Sequence, residues 1–387
     1  MTALDIGVYG ARGVPSTYSG YETFLTTLLP ELVERGHSVT AYCRTGEGLD
    51  PTPWKGVERR LLPAVEGKSF NTLSHGLISG LASRVARHDV LLVVNVANAA
   101  FCALSRWTGQ PVVLNVDGQE WLRGKWGDTA KKVFYNSAKV AGRTANALVA
   151  DCDAMARIYR DEFNAEATVI PYCFPAVEWT PNPSAVTELG VTPGRYALIA
   201  GRHNPENNLD VAAELLSKSD LDIEIVVLGK ANYDSPVTQR IEAVRANDER
   251  VRVIGHVDDR ATFLDLLHHA GVYLHGHSVG GMNPSLVEAM WAKTRICALD
   301  TDFNAETLEG TGTFFSLTDG DLVDRVRDAF DANATDDQAM RQAAHQRVMD
   351  TFSVTAVADA YEQLLQSAAV AKFGADANLV TKWATSR

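Results

Sequence analysis

Short apolar runs of β type alternate with stretches of helical period along most of the chain. In the first half they fall at 5–9 (DIGVY), 38–43 (SVTAYC), 89–95 (DVLLVVN), 111–116 (PVVLNV) and 146–150 (NALVA). Continuous apolar runs separated by helix-length segments are the pattern of parallel strands buried between two helical layers. A second series follows at 196–200 (YALIA), 222–228 (DIEIVVL), 251–254 (VRVI), 271–274 (GVYL) and 295–299 (RICAL). The chain therefore reads as α/β, with two doubly wound parallel sheets. Between the two series, residues 171–194 carry Pro171, Pro175, Pro181, Pro183 and Pro193. That density interrupts helices and strands alike and predicts an interdomain linker, with the boundary near 175–190. The expected division is 1–178, 190–353 and a C-terminal helical segment 354–387.

Within the first series, Phe24, Leu25, Leu28, Leu29, Leu32 and Val33 share one face at helical spacing, and Gly36 follows. This predicts a helix over 21–35 packed on the first sheet. Phe352, Val357, Tyr361, Leu364 and Leu365 predict a late helix, expected to cross back to the first domain. A length of 387 residues fits two cores better than one. With 46% hydrophobic and 22% charged residues the chain is of ordinary globular type. Lys+Arg 36 against Asp+Glu 48 gives a formal charge of -12, which argues against nucleic acid as the main partner. Cys43, Cys102, Cys152, Cys173 and Cys297 show no CxxC spacing, so neither a zinc site nor a disulfide framework is expected and a reducing compartment fits. The chain enters an apolar strand without a basic leader, and no uncharged stretch reaches the roughly 18 residues a membrane span needs. A cytoplasmic protein is the expectation.

Candidate chemistry lies where strands end. The first strand runs into GARGVPSTYSGYE. Gly10, Gly13 and Gly20 are spaced too widely for a dinucleotide fingerprint, which disfavours NAD. Backbone N–H groups near Gly13, and a helix starting near Gly20, are suited to phosphate; tight turns alone are the alternative. In the second series GRHNPENN places Arg202 at a carboxyl strand end, where a guanidinium can clamp a diphosphate. HGHSVGGMNPSLVEAM then passes from a strand end through Gly280 and Gly281 into a helix, so the following N–H groups can approach a diphosphate. Glu288, about one turn into that helix, can accept both hydroxyls of a ribose, although a carboxylate near a helix start also occurs for dipole reasons. NVDGQEW contributes Asp117, a candidate base or sugar contact, and the weaker candidate Glu120; both residue types also serve as helix-start groups.

Taken in order, GARGVPSTYSGYETF, NVDGQEW, GRHNPENN and HGHSVGGMNPSLVEAM resemble the motifs of the family 4 glycosyltransferases of GT-B fold, in their bacterial rhamnosyltransferase-like branch. The resemblance covers nearly the whole chain. It implies two Rossmann-like domains facing a cleft, the first binding acceptor and the second a nucleotide-sugar. It further implies retaining, metal-independent transfer in cell-surface polysaccharide synthesis, with L-rhamnose a candidate sugar. Donors carrying dTDP or UDP are expected, with no other cofactor. The wider family flanks its glycine turn with two glutamates: Glu288 matches the second, and Gly280 stands at the first. The sugar contact is then expected from His277 or from N–H groups of Gly281 and Met282. Asn207 stands where relatives often carry a phosphate-binding lysine, and Asp117 where many carry a histidine. Relatives hold the base near Gly255, His256 and Val257. Charge on the departing diphosphate would be met by Arg202 and by N–H groups near Gly13, Met282 and Asn283.

WLRGKWGDTAKKVFY interleaves Arg123, Lys125, Lys131 and Lys132 with Trp121, Trp126, Phe134 and Tyr135. Such a segment suits an anionic inner-membrane surface or a polyprenyl-diphosphate-linked saccharide acceptor; a charged helix with its aromatics in the core is the alternative. A sugar-nucleotide 2-epimerase and a non-catalytic nucleotide-sugar-binding protein remain the competing functions.

Overall fold

The computed structural model describes residues 2–370 apart from 17, 18, 66, 68, 69, 107, 125, 232–234, 319 and 333. Two compact units divide the chain. The first takes Met1–Leu122, Trp126–Pro175 and Phe352–Arg387; the second takes Arg123–Lys125 and Ala176–Thr351.

In the first unit the strands are β1 (Asp5–Tyr9), β2 (Ser38–Arg44), β3 (Glu58–Leu62), β4 (Val90–Val94), β5 (Val112–Asn115), β6 (Ala147–Ala150) and β7 (Ala167–Val169). They pair in parallel in the order β3-β2-β1-β4-β5-β6-β7. Every residue of β4, β5 and β6 is buried, as strands covered on both faces require. The second unit holds β8 (Tyr196–Ala200), β9 (Glu224–Leu228), β10 (Val251–Gly255), β11 (Val272–His275), β12 (Ile296–Leu299) and β13 (Thr313–Phe315). Its parallel order is β10-β9-β8-β11-β12-β13. In both sheets the order reverses beside the first strand of the unit. Ligands of open α/β sheets bind at such reversals, outside the carboxyl ends of the strands.

The helix Gly20–Glu34 buries Phe24, Leu25, Leu28, Leu29 and Leu32, the face set by its apolar spacing. Gly36 follows at φ +93°, a conformation that ends the helix without side-chain strain. The helix Val354–Val370 packs on it and on β4 and β5. Glu362 fixes that packing. Its Oε2 accepts from Arg35 Nη1 at 3.0 Å, and its Oε1 lies 3.2 Å from His37 Nε2. Because His37 Nδ1 accepts the Leu4 N–H at 3.1 Å, Nε2 carries the proton and donates to Glu362. Next to it, the buried Tyr361 hydroxyl accepts from Asn115 Nδ2 at 2.8 Å.

The proline-rich passage is more structured than a linker. Pro183 opens the helix Pro183–Glu188, where a missing N–H costs nothing, and Asn182 caps it by accepting from Ser184 N–H. Upstream, the Asp265 carboxylate accepts from Trp179 Nε1 at 3.0 Å and from the Asn182 N–H at 2.8 Å. Proline here starts a helix as well as separating two units.

Removing the Tyr361 hydroxyl leaves a buried amide donor unpartnered. Tyr361→Phe is expected to destabilise the first unit by about 1–3 kcal/mol, read as a lower urea midpoint with unchanged far-ultraviolet circular dichroism. An unchanged midpoint would show that the bond adds no net stability.

Candidate functional site

In the second unit, the ends of β8 and β11 meet closely at two glycines. A Cβ on Gly276 would lie 2.6 Å from the Asn207 carbonyl oxygen, and one on Gly201 would lie 3.1 Å from His277 Cε1. The loop after β8 therefore rests directly on the turn after β11. Arg202 is exposed on that loop. Its own carbonyl accepts from Asn207 Nδ2 at 2.8 Å and from the Asn204 N–H at 2.7 Å. The buried Asn207 thus spends its side-chain amide on bracing the arginine loop. Ser278 closes the other side, its N–H and hydroxyl both donating to the Glu206 carbonyl at 2.9 Å.

His277 stacks on His275, ring centroids 4.3 Å apart and planes 12° apart. Burial, His275, Arg202 and Arg123 all hold the His277 imidazole far below its ordinary pKa. Burial holds His275 down to about 3. Both rings are neutral at pH 7, so His277 offers a hydrogen bond and no charge. Its Nδ1 is buried without a partner among the described residues. Arg123, which groups with the second unit, approaches the turn: a Cβ on Gly280 would lie 3.7 Å from its guanidinium. Gly280 has φ +140°, which favours glycine over the glutamate of the wider family.

The helix Pro284–Trp291 begins just beyond Gly281 and Met282. Its cap is Asn283, whose Oδ1 accepts the Ser285 N–H at 3.1 Å and the Ser285 hydroxyl at 2.8 Å. That occupies the Asn283 side chain. Pro284 has no N–H, and the Leu286 and Val287 N–H groups bond to the Asn283 carbonyl at 3.1 and 3.4 Å. Contact with an anion at this helix start therefore falls to the loop N–H groups that precede it. Glu288, four residues into the helix, pairs with Arg260 Nη2 at 3.3 Å. Burial pushes its carboxyl above the ordinary value, partly opposed by Arg260. At the end of β10, Gly255 has φ +83°, and its carbonyl accepts from the Gly229 N–H at 2.7 Å. Val257 beyond it is half-buried, and His256 is an exposed residue 3.2 Å from Asp258.

Asp117 belongs to the first unit, at φ +58° just past β5. Its N–H donates to Asn115 Oδ1 at 3.0 Å, and its Oδ1 accepts the Tyr172 hydroxyl at 3.0 Å. The negative charge of Asp117 adds to burial in raising the hydroxyls of Tyr21, Tyr159 and Tyr172. The hydrogen bonds with Asn115 and Tyr172 hold the Asp117 loop and carboxylate in a fixed orientation. Glu120 is turned to another task, accepting from Trp126 Nε1 at 2.7 Å. Gly13 serves packing: a Cβ there would lie 2.2 Å from Leu49 Cδ1 and 3.3 Å from Cys43 Cβ. Gly20 is the first residue of its helix.

In the basic and aromatic segment, Trp121 and Phe134 are buried, while Arg123, Trp126 and Lys131 are half-buried and Lys132 is exposed. Lys125 lies outside the described residues. Two of its aromatics are therefore core residues. Sequence reading missed Tyr172, Arg260 and Glu206, since each is tied to the site only through tertiary contact. Glu206 is buried, and neither carboxylate oxygen has a hydrogen-bond partner among the described residues.

No group of three or more metal-type side chains occurs among the described residues, nor any helix long and apolar enough to cross a membrane. The chain matches the glycosyl transferase 4-like domain over residues 19–173 and the glycosyl transferases group 1 family over 189–347. Comparison with curated proteins gave no match. Among solved structures it is similar to Anabaena HepE in complex with UDP-glucose: 14% identity, 94% of this chain and 100% of that one, TM-score 0.72. It is also similar to sucrose-phosphate synthase from Thermosynechococcus elongatus, at 16% identity over 94% and 98% of the two chains with TM-score 0.76. A Rickettsia africae glycosyltransferase matches at 15% identity over 94% and 97%, with TM-score 0.69. Two parallel-sheet Rossmann-like units, the two family matches in order and these folds make this chain a GT-B glycosyltransferase of family 4.

Proposed function

We propose that the protein transfers a sugar from a nucleoside diphosphate donor to a hydroxyl of a saccharide acceptor, with 190–353 binding the donor and 1–178 the acceptor. The carrying observation is the set of strand-end loops in the second unit, where Arg202, neutral His277, the glycine turn and Glu288 stand on neighbouring elements. Arg202 and the N–H groups at Met282 and Asn283 take the diphosphate, and Glu288 takes the ribose hydroxyls. The base lies against Gly255 to Val257. His277 and the Gly281 and Met282 N–H groups contact the sugar in place of the glutamate that Gly280 replaces.

In the transfer, the bond from sugar C1 to the diphosphate oxygen breaks and the acceptor oxygen bonds to C1. The acceptor proton leaves to the departing diphosphate or to Asp117. Charge growing on the diphosphate is met by Arg202 and the helix N-terminus. The branch resemblance favours L-rhamnose from dTDP, retention at C1 and a polyprenyl-diphosphate-linked acceptor in surface polysaccharide synthesis. UDP-sugars are the other donor class, in keeping with the UDP-glucose that HepE binds. Arg123, Lys131 and Lys132 support docking at an anionic inner-membrane surface.

The direct test incubates the protein with dTDP- and UDP-sugars, with and without saccharide acceptors, and follows nucleotide release and product mass. Release that depends on acceptor is expected; an altered sugar nucleotide formed without acceptor would identify an epimerase instead.

Glu288→Ala should weaken nucleotide binding by about 1.5–3 kcal/mol, the scale of hydrogen bonds to a charged group, measured by calorimetric titration. Normal binding would remove Glu288 from the site. Because burial raises the Glu288 carboxyl, wild-type affinity should fall with decreasing pH already above the ordinary carboxylate range. Glu288→Gln should flatten that fall, and an identical pH profile would refute the assignment. Asp117→Asn should lower kcat while leaving nucleotide affinity nearly unchanged; equal losses of both would mark a structural role.

A further inference from the structure

The first unit carries a second polar cluster that the transfer reading leaves unused. Arg44, the last residue of β2, is 8% exposed, and its Nε has no hydrogen-bond partner among the described residues. Its Nη1 reaches Glu47 Oε1 at 3.4 Å, and Arg12 Nη1 lies 3.6 Å from Oε2 of the same carboxylate. Two guanidiniums thus flank one carboxylate, both contacts longer than an ordinary N–H···O hydrogen bond and the Arg12 one an ion pair only. Glu22, the other acid nearby, is turned away to the Arg12 N–H and the Ser16 hydroxyl, at 2.9 and 3.0 Å. From the helix Phe70–Ala86, His75 joins the cluster, 1% exposed and with Nε2 unpartnered. Burial, with Arg44 adding to it, holds His75 down to about 4, so the ring is neutral.

Buried polar groups are almost always satisfied, so an orphaned guanidinium nitrogen on Arg44 and an orphaned imidazole nitrogen on His75, a ring that feels the Arg44 charge, each call for a missing partner. Arginine presents a planar fork matched to phosphate oxygens, and two guanidiniums balance a dianion better than the single charge of Glu47. Glu47 itself sits between Gly46 and Gly48, at φ +88° and +73°, with open space where side chains would be. Its carboxylate is held on a segment of wide conformational freedom and few steric limits.

We propose that Arg44, with Arg12 and His75, forms a phosphoryl-binding subsite in the first unit, in which Glu47 stands in for the anion until a phosphoryl group displaces it. Resting on the transferase reading, the subsite anchors an acceptor that carries phosphate, either a soluble sugar phosphate or a prenyl phosphate. A dianion against His75 also raises that ring's proton affinity, so Nε2 gains a proton and donates to the ligand.

The test titrates inorganic phosphate calorimetrically into the full-length protein, with and without UDP. Arg44→Gln should weaken phosphate binding at least about tenfold, and Glu47→Gln should tighten it severalfold, about three- to tenfold, by removing the competing carboxylate. The Glu47 variant lies on an exposed segment, so its result stands even where Arg44→Gln lowers stability. No phosphate binding by wild type, or equal affinity in all three proteins, overturns the subsite. UDP affinity should be the same in all three. Loss of UDP binding from the wild type would instead overturn the donor reading and leave the phosphate result intact. Glucose 6-phosphate and farnesyl phosphate are then used as competitors: displacement by one names the soluble or the lipid source, and displacement by neither overturns the acceptor role.

Discussion

A Cβ on Gly229 would lie 1.8 Å from the Gly201 carbonyl oxygen, and that bare backbone contact governs the second unit. It lets the end of β9 reach the loop after β8, while Gly276 does the same from β11. Without these approaches Arg202, His277 and the N-terminus of Pro284–Trp291 could not share one sheet edge. The first unit repeats the device: Gly10, at φ +111°, would place a Cβ 2.1 Å from the Val94 carbonyl. In both units glycine marks the place where the strand order reverses and a ligand can meet backbone.

Charge is distributed on that framework with little redundancy. Burial strips His75, His275 and His277 of charge, leaving arginines as the cations of the two clusters. Asp117 is held by Tyr172 and Asn115, and Asn115 is in turn held by Tyr361 of the last described helix. The candidate acid of the first unit is thus tied to residues nearly 250 positions away in sequence.

Buried strands and the helix Gly20–Glu34 were legible because continuous or helically spaced apolar residues define them whatever their neighbours. The strands β3, β7 and β13 were not. Each is at or next to a sheet edge; ERRLL carries charge on its open face, and the other two span three residues. Proline density marked the passage between the units but hid the helix Pro183–Glu188, since proline at a first turn is compatible with either outcome. Motifs pointed to Arg202, Asp117 and Glu288, whose chemistry is local to a strand end or helix start. They could not show that Asn207 braces a carbonyl, that Glu120 holds Trp126, or that Glu206 and Arg44 are buried with orphaned atoms. Those properties arise only when distant segments meet.

The central claim is that the second unit holds a nucleoside diphosphate through Arg202, a helix N-terminus and Glu288. Calorimetric titration of the full-length protein with UDP, dTDP, GDP, ADP and NAD tests it most directly. The account predicts selective binding of one nucleoside diphosphate, strong enough to stabilise the fold by mass action. Binding of NAD alone, or of none of the five, would contradict it.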